Sequence, residues 1–576
     1  MARWHRRLLG AGVVCVMLAT RVAAQEQDRA AEAAAAALSD ARKAQRAFES
    51  TRRAHLPTVF GGTPTCDITI GRLCYWNDNP DPPLPPEPRR IAQARDRLLR
   101  ALDSAAARAS ADEWIAGQRV RYLIEAARLS DAVRAARECS APRSWCALLL
   151  GFALHRSGDD SSANVAFDSA LAAMPEHERC RWTDISEWLE GDVASRYHHL
   201  DCAGRDSLNA RIWWLAQPLA MRPGASVRAE FLSRQVMIHL LMDAATPYAM
   251  PWGSDLARVM LRYGWPTSWA IVDDGIPRMA TTFERPLMGH EPTPSFDVMP
   301  STHAIEHPTA ASEDDWTLTV PQAVMRYAPR YAASFTALAH QVARFRRGDS
   351  MLVVAAYDVG DDTAWAGRSL RAGLVLAPSP DIVAARRITD DARTHDVLSA
   401  VVPSRAQLVS LEVLAPTGHH VARARYGLQP LDGTAALSDL LLLARDSLRG
   451  TLAQLMSAAR GSNVIAEGDT VGLYWECYAP ATPGHPLTVR LRVAPEKQSW
   501  LHGLAHALHL ASDPAPIALE WHDTGRADHS AGRTLRLGLG DLQPGQYRIE
   551  LSVEGRGTPR ASTVRHVRVV RRGEGR

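Results

Sequence analysis

Histidines spaced four and then three residues apart, His502, His506 and His509, come nearest in this chain to a metal-binding pattern. On a helix all three imidazoles would share one face and suit zinc or copper. On a strand His509 would point away from the other two. The stretch Trp500–His509 fits either period and contains no carboxylate. Surface histidines in a connection within a β-domain are therefore the expectation, and no metal ligand is assigned. His290-Glu291 has no histidine three residues further on, and His303, Glu306 and His307 fall in an aperiodic stretch.

Nucleophiles are equally scarce. There is no Gly-x-Ser-x-Gly elbow, no Ser-x-x-Lys, no Walker loop and no dinucleotide fingerprint. Cys477 sits in the aromatic run Gly472–Tyr478, which reads as a strand where a thiol packs as a small hydrophobe. Adjacent acids recur at Asp159-Asp160, Asp273-Asp274, Asp314-Asp315, Asp361-Asp362 and Asp390-Asp391. Glycoside chemistry needs two carboxylates facing each other across a bond; neighbours in turns more often cap backbone amides. No catalytic residue and no cofactor are assigned. Tryptophan is the more suggestive set: Trp182, Trp188, Trp213, Trp214, Trp252, Trp265 and Trp269. At this density the rings form the core of a small α/β unit or line a cleft. Trp213, Trp214, Trp252 and Trp265 are the candidates for a binding surface.

Those aromatics follow a covalent framework. Six of eight cysteines fall between Cys66 and Cys202. The N-terminus has Arg3, Arg6 and Arg7, an apolar run from Leu8 to Leu18, and small residues at Val22 and Ala24 before Gln25. That layout predicts a cleavable secretory peptide over 1–24 and an exported protein, periplasmic, envelope-associated or extracellular. Clustered cysteines in an oxidising compartment are disulfides before they are metal ligands. Proximity predicts Cys66–Cys74, Cys139–Cys146 and Cys180–Cys202, each closing one short inter-element segment. Cys15 leaves with the leader and lacks the preceding small residue of a lipidation site, and no later apolar run is long enough to span a bilayer. A net charge of +3, with 46% apolar and 22% charged residues, describes an ordinary globular chain without the basic stripe of a nucleic-acid binder.

The expected fold is multidomain α+β. A helix covers 25–55, and the Cys loop and Pro-rich linker after it complete a segment 25–87. Residues 88–179 read as TPR-like helical hairpins: Leu150, Gly151, Leu154, Gly158, Ala163, Phe167, Ala170 and Pro175 fall at the positions such a repeat uses. Gly151 would let two helices approach, and Phe167 would share one face of the second helix with Ala163 and Ala170 at i, i+4, i+7, so both are structural residues. Residues 180–285 form the Trp-rich α/β unit, and 286–330, rich in Pro, Ser, Thr and His, a linker. Beyond it the period becomes two. Strands are predicted at 351–357, 374–376 and 408–413 in a β-rich domain 331–464, with a helical or irregular stretch at 435–459. Clearer alternation at 487–493, 517–521, 535–539 and 547–553 predicts an Ig-like β-sandwich over 465–576, and the first β-domain is read as a second sandwich. Tyr547, after Pro544-Gly545, stands where a tyrosine corner would.

Arg211-Ile212-Trp213-Trp214, then Trp252-Gly253-Ser254-Asp255, then Arg262-Tyr263-Gly264-Trp265-Pro266 resemble the GWxTD-domain family of bacterial exported proteins. The match is to a Trp/Arg-rich helix, a degenerate name-giving element and an RYGxP turn, over about 200–270. The resemblance implies an architecture and carries no catalytic residue. The leading functional expectation is an exported, non-catalytic interaction or scaffold protein with a protein partner, no nucleic acid and no transmembrane anchor. The alternative is a hydrolase with its site in 180–285, and a structural envelope component ranks third.

Overall fold

No Gly or Pro interrupts the alanine-rich stretch after Gln25, so nothing there breaks a helix. In the computed structural model one helix, α1 (Ala2–Ala54), runs through it. The structure describes all residues except 1, 61–65, 67, 77–84, 221–225, 249, 274–286, 291–295, 297, 317–324, 432–435, 445–449, 479–485, 497–516, 525–531, 541, 556–557 and 573–576. The chain divides into two compact units: Met1–Gln217 with Gly224–Met299 and Thr319–Pro329, and Pro218–Pro223 with Pro300–Leu318 and Arg330–Arg576.

In the first unit α1 is followed by three short strands, β1 (Thr58–Phe60), β2 (Ile68–Ile70) and β3 (Leu73–Trp76). Next come helices α2 (Arg89–Arg108), α3 (Glu113–Glu125), α4 (Leu129–Arg137), α5 (Arg143–Ser157) and α6 (Asp160–Ala172). Then follow α7 (Glu176–Trp182), α8 (Gly191–His199), α9 (Cys202–Ala216), α10 (Ser226–Met242) and α11 (Ser254–Tyr263), and finally β4 (Ser268–Asp273) and β5 (Leu287–His290). The five strands make one sheet in the order β1-β4-β5-β3-β2. The segment 25–87, expected to stand apart from the unit 180–285, therefore completes its sheet. Strands of three or four residues have too little surface to hold a sheet alone. Leu73 and Leu287 pack in one cluster with Tyr248, Leu256 and Met260.

The helical hairpins read from sequence are α3/α4 and α5/α6. Gly151 is where α5 and α6 touch: a Cβ there would lie 2.7 Å from the Phe167 ring. Phe167, Ala163 and Ala170 are fully buried, as the i, i+4, i+7 spacing requires. Asp159 caps α6, accepting from the Ser162 N–H at 3.0 Å. Three disulfides join the expected partners: Cys66–Cys74, Cys139–Cys146 and Cys180–Cys202, with Cα separations of 5.4, 5.6 and 5.7 Å. The last ties α7 to α9. Among the described residues no helix is long and apolar enough to cross a membrane.

The stretch 286–330, expected as a linker, is structured in part. It contains β5 and, in the second unit, α12 (Thr302–Glu306), N-capped by Ser301. Asp315 gathers the Ser312 N–H, at 2.7 Å, and the hydroxyl of Ser301. Ala304 and Ile305 are buried, which an aperiodic polar composition does not announce.

The second unit continues with β6 (Ser334–Ala337), β7 (His340–Arg347), β8 (Ser350–Asp358), β9 (Leu370–Ala377), β10 (Ala385–Ala392), β11 (His395–Pro403), β12 (Gln407–Ala415) and β13 (His420–Leu428). They form sheets β10-β9-β12-β13-β6 and β11-β8-β7. Met351, Val353, Ala355 and Tyr357 of β8 enter the core that also holds Leu374 and Leu411. The alternate residues Val354 and Ala356 enter a second core with Leu441, Leu443 and Tyr474. Burial on both faces is why β8 reads as an unbroken apolar run.

After β14 (Leu441–Leu443), α13 (Leu452–Leu455), β15 (Val464–Ala466) and β16 (Thr470–Glu476) come β17 (Leu487–Pro495), β18 (Ile517–Asp523), β19 (Gly532–Gly538), β20 (Gly545–Gly555) and β21 (Thr558–Val570). Their sheets are β14-β16-β19 and β15-β21-β20-β17-β18. Because β14 pairs with β16, the expected boundary at 464 falls too late. Tyr547 is buried in the shared core, and its hydroxyl donates to the Gln543 carbonyl, four residues upstream, at 2.9 Å. Tyr547→Phe removes that donor and should cost about 1–3 kcal/mol. Chemical unfolding of the full chain reads the change; an unaltered midpoint would remove Tyr547 as a folding determinant.

Candidate functional site

The chemistry of the first unit begins with a face of α1. Gln45, Phe48, Glu49 and Arg52 stand at i, i+3, i+4 and i+7, and all four are buried. On α3, Gln118, Arg121, Tyr122 and Glu125 repeat the same spacing. Each helix thus turns a largely polar stripe inward. Where the stripes meet, the Tyr122 hydroxyl donates to Glu49 at 2.7 Å and Gln45 donates to the Tyr122 oxygen at 2.8 Å. Arg52 pairs with Glu125, Arg121 lies 3.1 Å from Glu125 and 3.5 Å from Glu49, and Arg52 lies 3.5 Å from Glu49. From α2, Arg95 pairs with Glu87 and approaches Glu125 at 3.9 Å. Phe48 supports the cluster with its ring face, 4.5 Å from the Arg52 guanidinium carbon.

Burial and ion pairing pull the two carboxyls apart. Burial alone would raise Glu125, but Arg52, Arg121 and Arg95 override it and hold its pKa at about 2. Burial pushes Glu49 upward, against Arg52 and Arg121. Burial likewise pushes the Tyr248 hydroxyl up.

Against this cluster lies a cavity of ≈ 280 Å³. Arg52, Arg95 and Arg121 form one side with Glu87 and Glu125. Arg156, from the last turn of α5, and the α11–β4 turn carrying Trp265 form another. The Arg156 guanidinium stacks on Trp265 at 5.0 Å from the ring centroid, and Phe152 meets the same ring edge-on at 5.6 Å. Trp269 packs edge-to-face on Tyr248 at 5.0 Å. Ile124, Met237 and Leu241 complete the apolar lining.

A second buried chain of charges holds the Trp265 turn. Asp160 and Glu230 each lie 2.7 Å from a different ring nitrogen of His155. Glu230 in turn accepts from Arg234 Nε at 2.6 Å. Arg234 donates to the carbonyls of Leu261 and Arg262, each at 2.9 Å, and of Arg326 at 2.6 Å. Gly264 closes the turn at φ +78°, and a Cβ there would sit 3.4 Å from the Arg234 guanidinium. Burial opposes the charge on His155, but hydrogen bonds to Asp160 and Glu230 outweigh it and keep its pKa above the ordinary histidine value. With both ring nitrogens committed, His155 cements the turn and has no lone pair to offer a substrate.

Of the four tryptophans expected at a binding surface, Trp265 lines the cavity, joined there by Trp269. Trp213 is a correction: it is buried, packed edge-to-face on Trp188 at 5.9 Å and beside Phe231 at 5.5 Å. Trp252 is half-buried against the Leu256 cluster, and Trp214 is half-buried on α9. Of the acid pairs, Asp159 and Asp362 cap helical turns, Asp390 pairs with Arg371, and Asp160 belongs to the His155 chain. Cys477 is buried in the core of the second unit. His502, His506 and His509 lie outside the described residues. Among the described residues no group of three or more His, Cys, Asp and Glu is arranged to hold a metal.

No protein-family model and no curated protein matches the chain. Among solved structures, E. coli alpha-2-macroglobulin in its native conformation aligns with TM-score 0.15 and 11% identity, over 41% of this chain and 16% of that one. Red sea bream transglutaminase aligns with TM-score 0.14 and 10% identity, over 56% of this chain and 44% of that one. The chain thus spans less than half the length of either. Similarity at this level carries no argument about fold or function.

Proposed function

We propose that this is an exported, non-catalytic interaction protein whose binding surface lies on the helical unit, within residues 88–270. The observation that carries the reading is the cavity lined by guanidiniums and tryptophans. Its charged groups are built for recognition. Arginine offers rigid forked donors and never deprotonates under working conditions, and a carboxylate held near pKa 2, as Glu125 is, is too weak a base for general acid–base work near neutrality. The hairpins α3/α4 and α5/α6 are then TPR-like elements presenting the cavity. The Trp252–Asp255 element and the 262–266 turn are a degenerate GWxTD unit, and the sheets of the second unit are Ig-like sandwiches that carry or anchor it. The leader pattern and the three bridges support export, since such bonds persist in oxidising compartments.

Cross-linking of the mature chain, residues 25–576, in an oxidising periplasmic or secreted extract tests the mapping. Peptides cross-linked to the partner should come from 88–270. Cross-links confined to 331–576 would overturn the mapping. Turnover of a peptide or glycan library that is abolished by single acid or histidine substitutions in 180–285 would replace it with the hydrolase reading.

A further inference from the structure

We propose that the cavity binds a small organic anion, its acid group taken by Arg156 and its apolar body lying along Trp265 and Trp269. The inference rests on the binding reading above and names the ligand class. Charge is the first ground. Four guanidiniums, of Arg52, Arg95, Arg121 and Arg156, line the cavity, and the carboxylates of Glu87, Glu125 and Glu49 are engaged by the first three. Arg156 makes no salt bridge with any described residue, although Glu230 feels its charge from farther off, and its Nε is buried without a hydrogen-bond partner. Arg95 Nε is likewise buried without one. A buried donor left open in a folded protein marks a place where an acceptor belongs, and a guanidinium is the donor that best fits a carboxylate or phosphate.

The stack on Trp265 is the second ground, because it holds the Arg156 fork in place before any ligand arrives. Shape is the third. At ≈ 280 Å³ the space is at the small end of ligand pockets. It admits a compact acid, or one acidic terminus of a longer chain, and its apolar lining of Ile124, Met237 and Leu241 rewards a hydrocarbon body.

Tryptophan fluorescence of the mature chain, titrated with phenylacetate and with its neutral analogue phenylacetamide, reads the proposal. Phenylacetate should bind at least tenfold more tightly than the amide, and Arg156→Gln should remove that preference. Arg156→Lys, which keeps the charge and loses the planar stack, should fall between, and matching thermal unfolding of the variants shows that the fold is retained. A phenylalanine-terminated tetrapeptide, as free acid and as amide, identifies the source: tighter binding of the peptide acid than of phenylacetate points to a partner's chain terminus, weaker binding to a free acid. Equal affinity for acid and amide, or an Arg156→Gln affinity within twofold of the parent, would overturn the proposal. Absence of anion binding while cross-links still map to 88–270 would overturn the ligand class alone. Cross-links elsewhere with anion binding intact would overturn the partner surface alone.

Discussion

Glu125→Gln should lower the stability of the helical unit by about 3–5 kcal/mol, the cost of removing one partner from a buried ion network. Glu125 is the carboxylate on which Arg52, Arg121 and Arg95 converge. Glutamine keeps the shape and one acceptor oxygen but leaves the desolvated Arg52 and Arg121 sharing Glu49, and Arg95 with Glu87 alone. The linkage sign follows from the depressed pKa. Glu125 titrates at about 2 in the folded protein against an ordinary 4.5. Its contribution, about 3 kcal/mol for a difference of that size, is therefore present above pH 4.5 and lost as pH falls towards 2. Unfolding midpoints measured from pH 7 to pH 2 should show the parent converging on the variant at the acid end. A variant within 1 kcal/mol of the parent at pH 7 would mean the cluster contributes no net stability. Replacing Glu49 and Arg121 together by Leu and Met should cost far less than removing Glu125, because apolar residues of similar volume leave no orphaned charge.

This cluster shows where sequence reading runs out. Apolar periodicity does not reveal it, because α1 and α3 carry their inward stripes mostly as Gln, Glu, Arg and Tyr at i, i+3, i+4 and i+7. The spacing is that of a buried face and the chemistry that of a solvated one. A usable signal exists: the two helices carry the same polar heptad spacing, at 45–52 and 118–125. Strand β13 hides for a similar reason. Its buried stretch Val421–Arg425 includes Arg423 and Arg425, and Arg425 is satisfied by Glu412 at 2.9 Å. Glu412 also accepts from the Leu219 and Ala220 amides, at 2.8 and 3.1 Å, a contact across nearly two hundred residues that no local pattern encodes. By contrast the disulfides were legible, since each bridge closes between neighbouring elements. So were Gly151, Phe167 and Tyr547, whose roles depend on a few adjacent positions. Trp265 was singled out by composition and lies at the cavity. Arg156, its stacking partner, could not be, because an arginine in the last turn of a helix is ordinary.

Arg234→Met should cost about 3–5 kcal/mol and loosen the turn that carries Trp265. Methionine fills similar volume, yet Glu230 loses one of its two cationic partners and three carbonyls, of Leu261, Arg262 and Arg326, lose their donor. Trp188, whose indole also donates to Leu261 at 3.0 Å, cannot replace all three. The pH profile separates this chain of charges from the Glu125 cluster. His155 has a folded pKa raised above 6.5 by Asp160 and Glu230 despite its burial. Its contribution is therefore complete below pH 6.5 and lost as pH rises through that elevated value. In His155→Gln the neutral amide can turn its NH2 to only one of the two carboxylates and faces the other with an acceptor oxygen, where the imidazolium donated to both. The gap in stability between parent and variant should be widest below pH 6.5 and should narrow on the alkaline side, whereas the Glu125→Gln gap closes only in acid. Chemical unfolding across both limbs reads the two signatures in one experiment. A His155→Gln gap that stays constant into the alkaline range would show that His155 is held neutral, and the Asp160–His155–Glu230–Arg234 chain would then carry one uncompensated negative charge beneath the Trp265 turn.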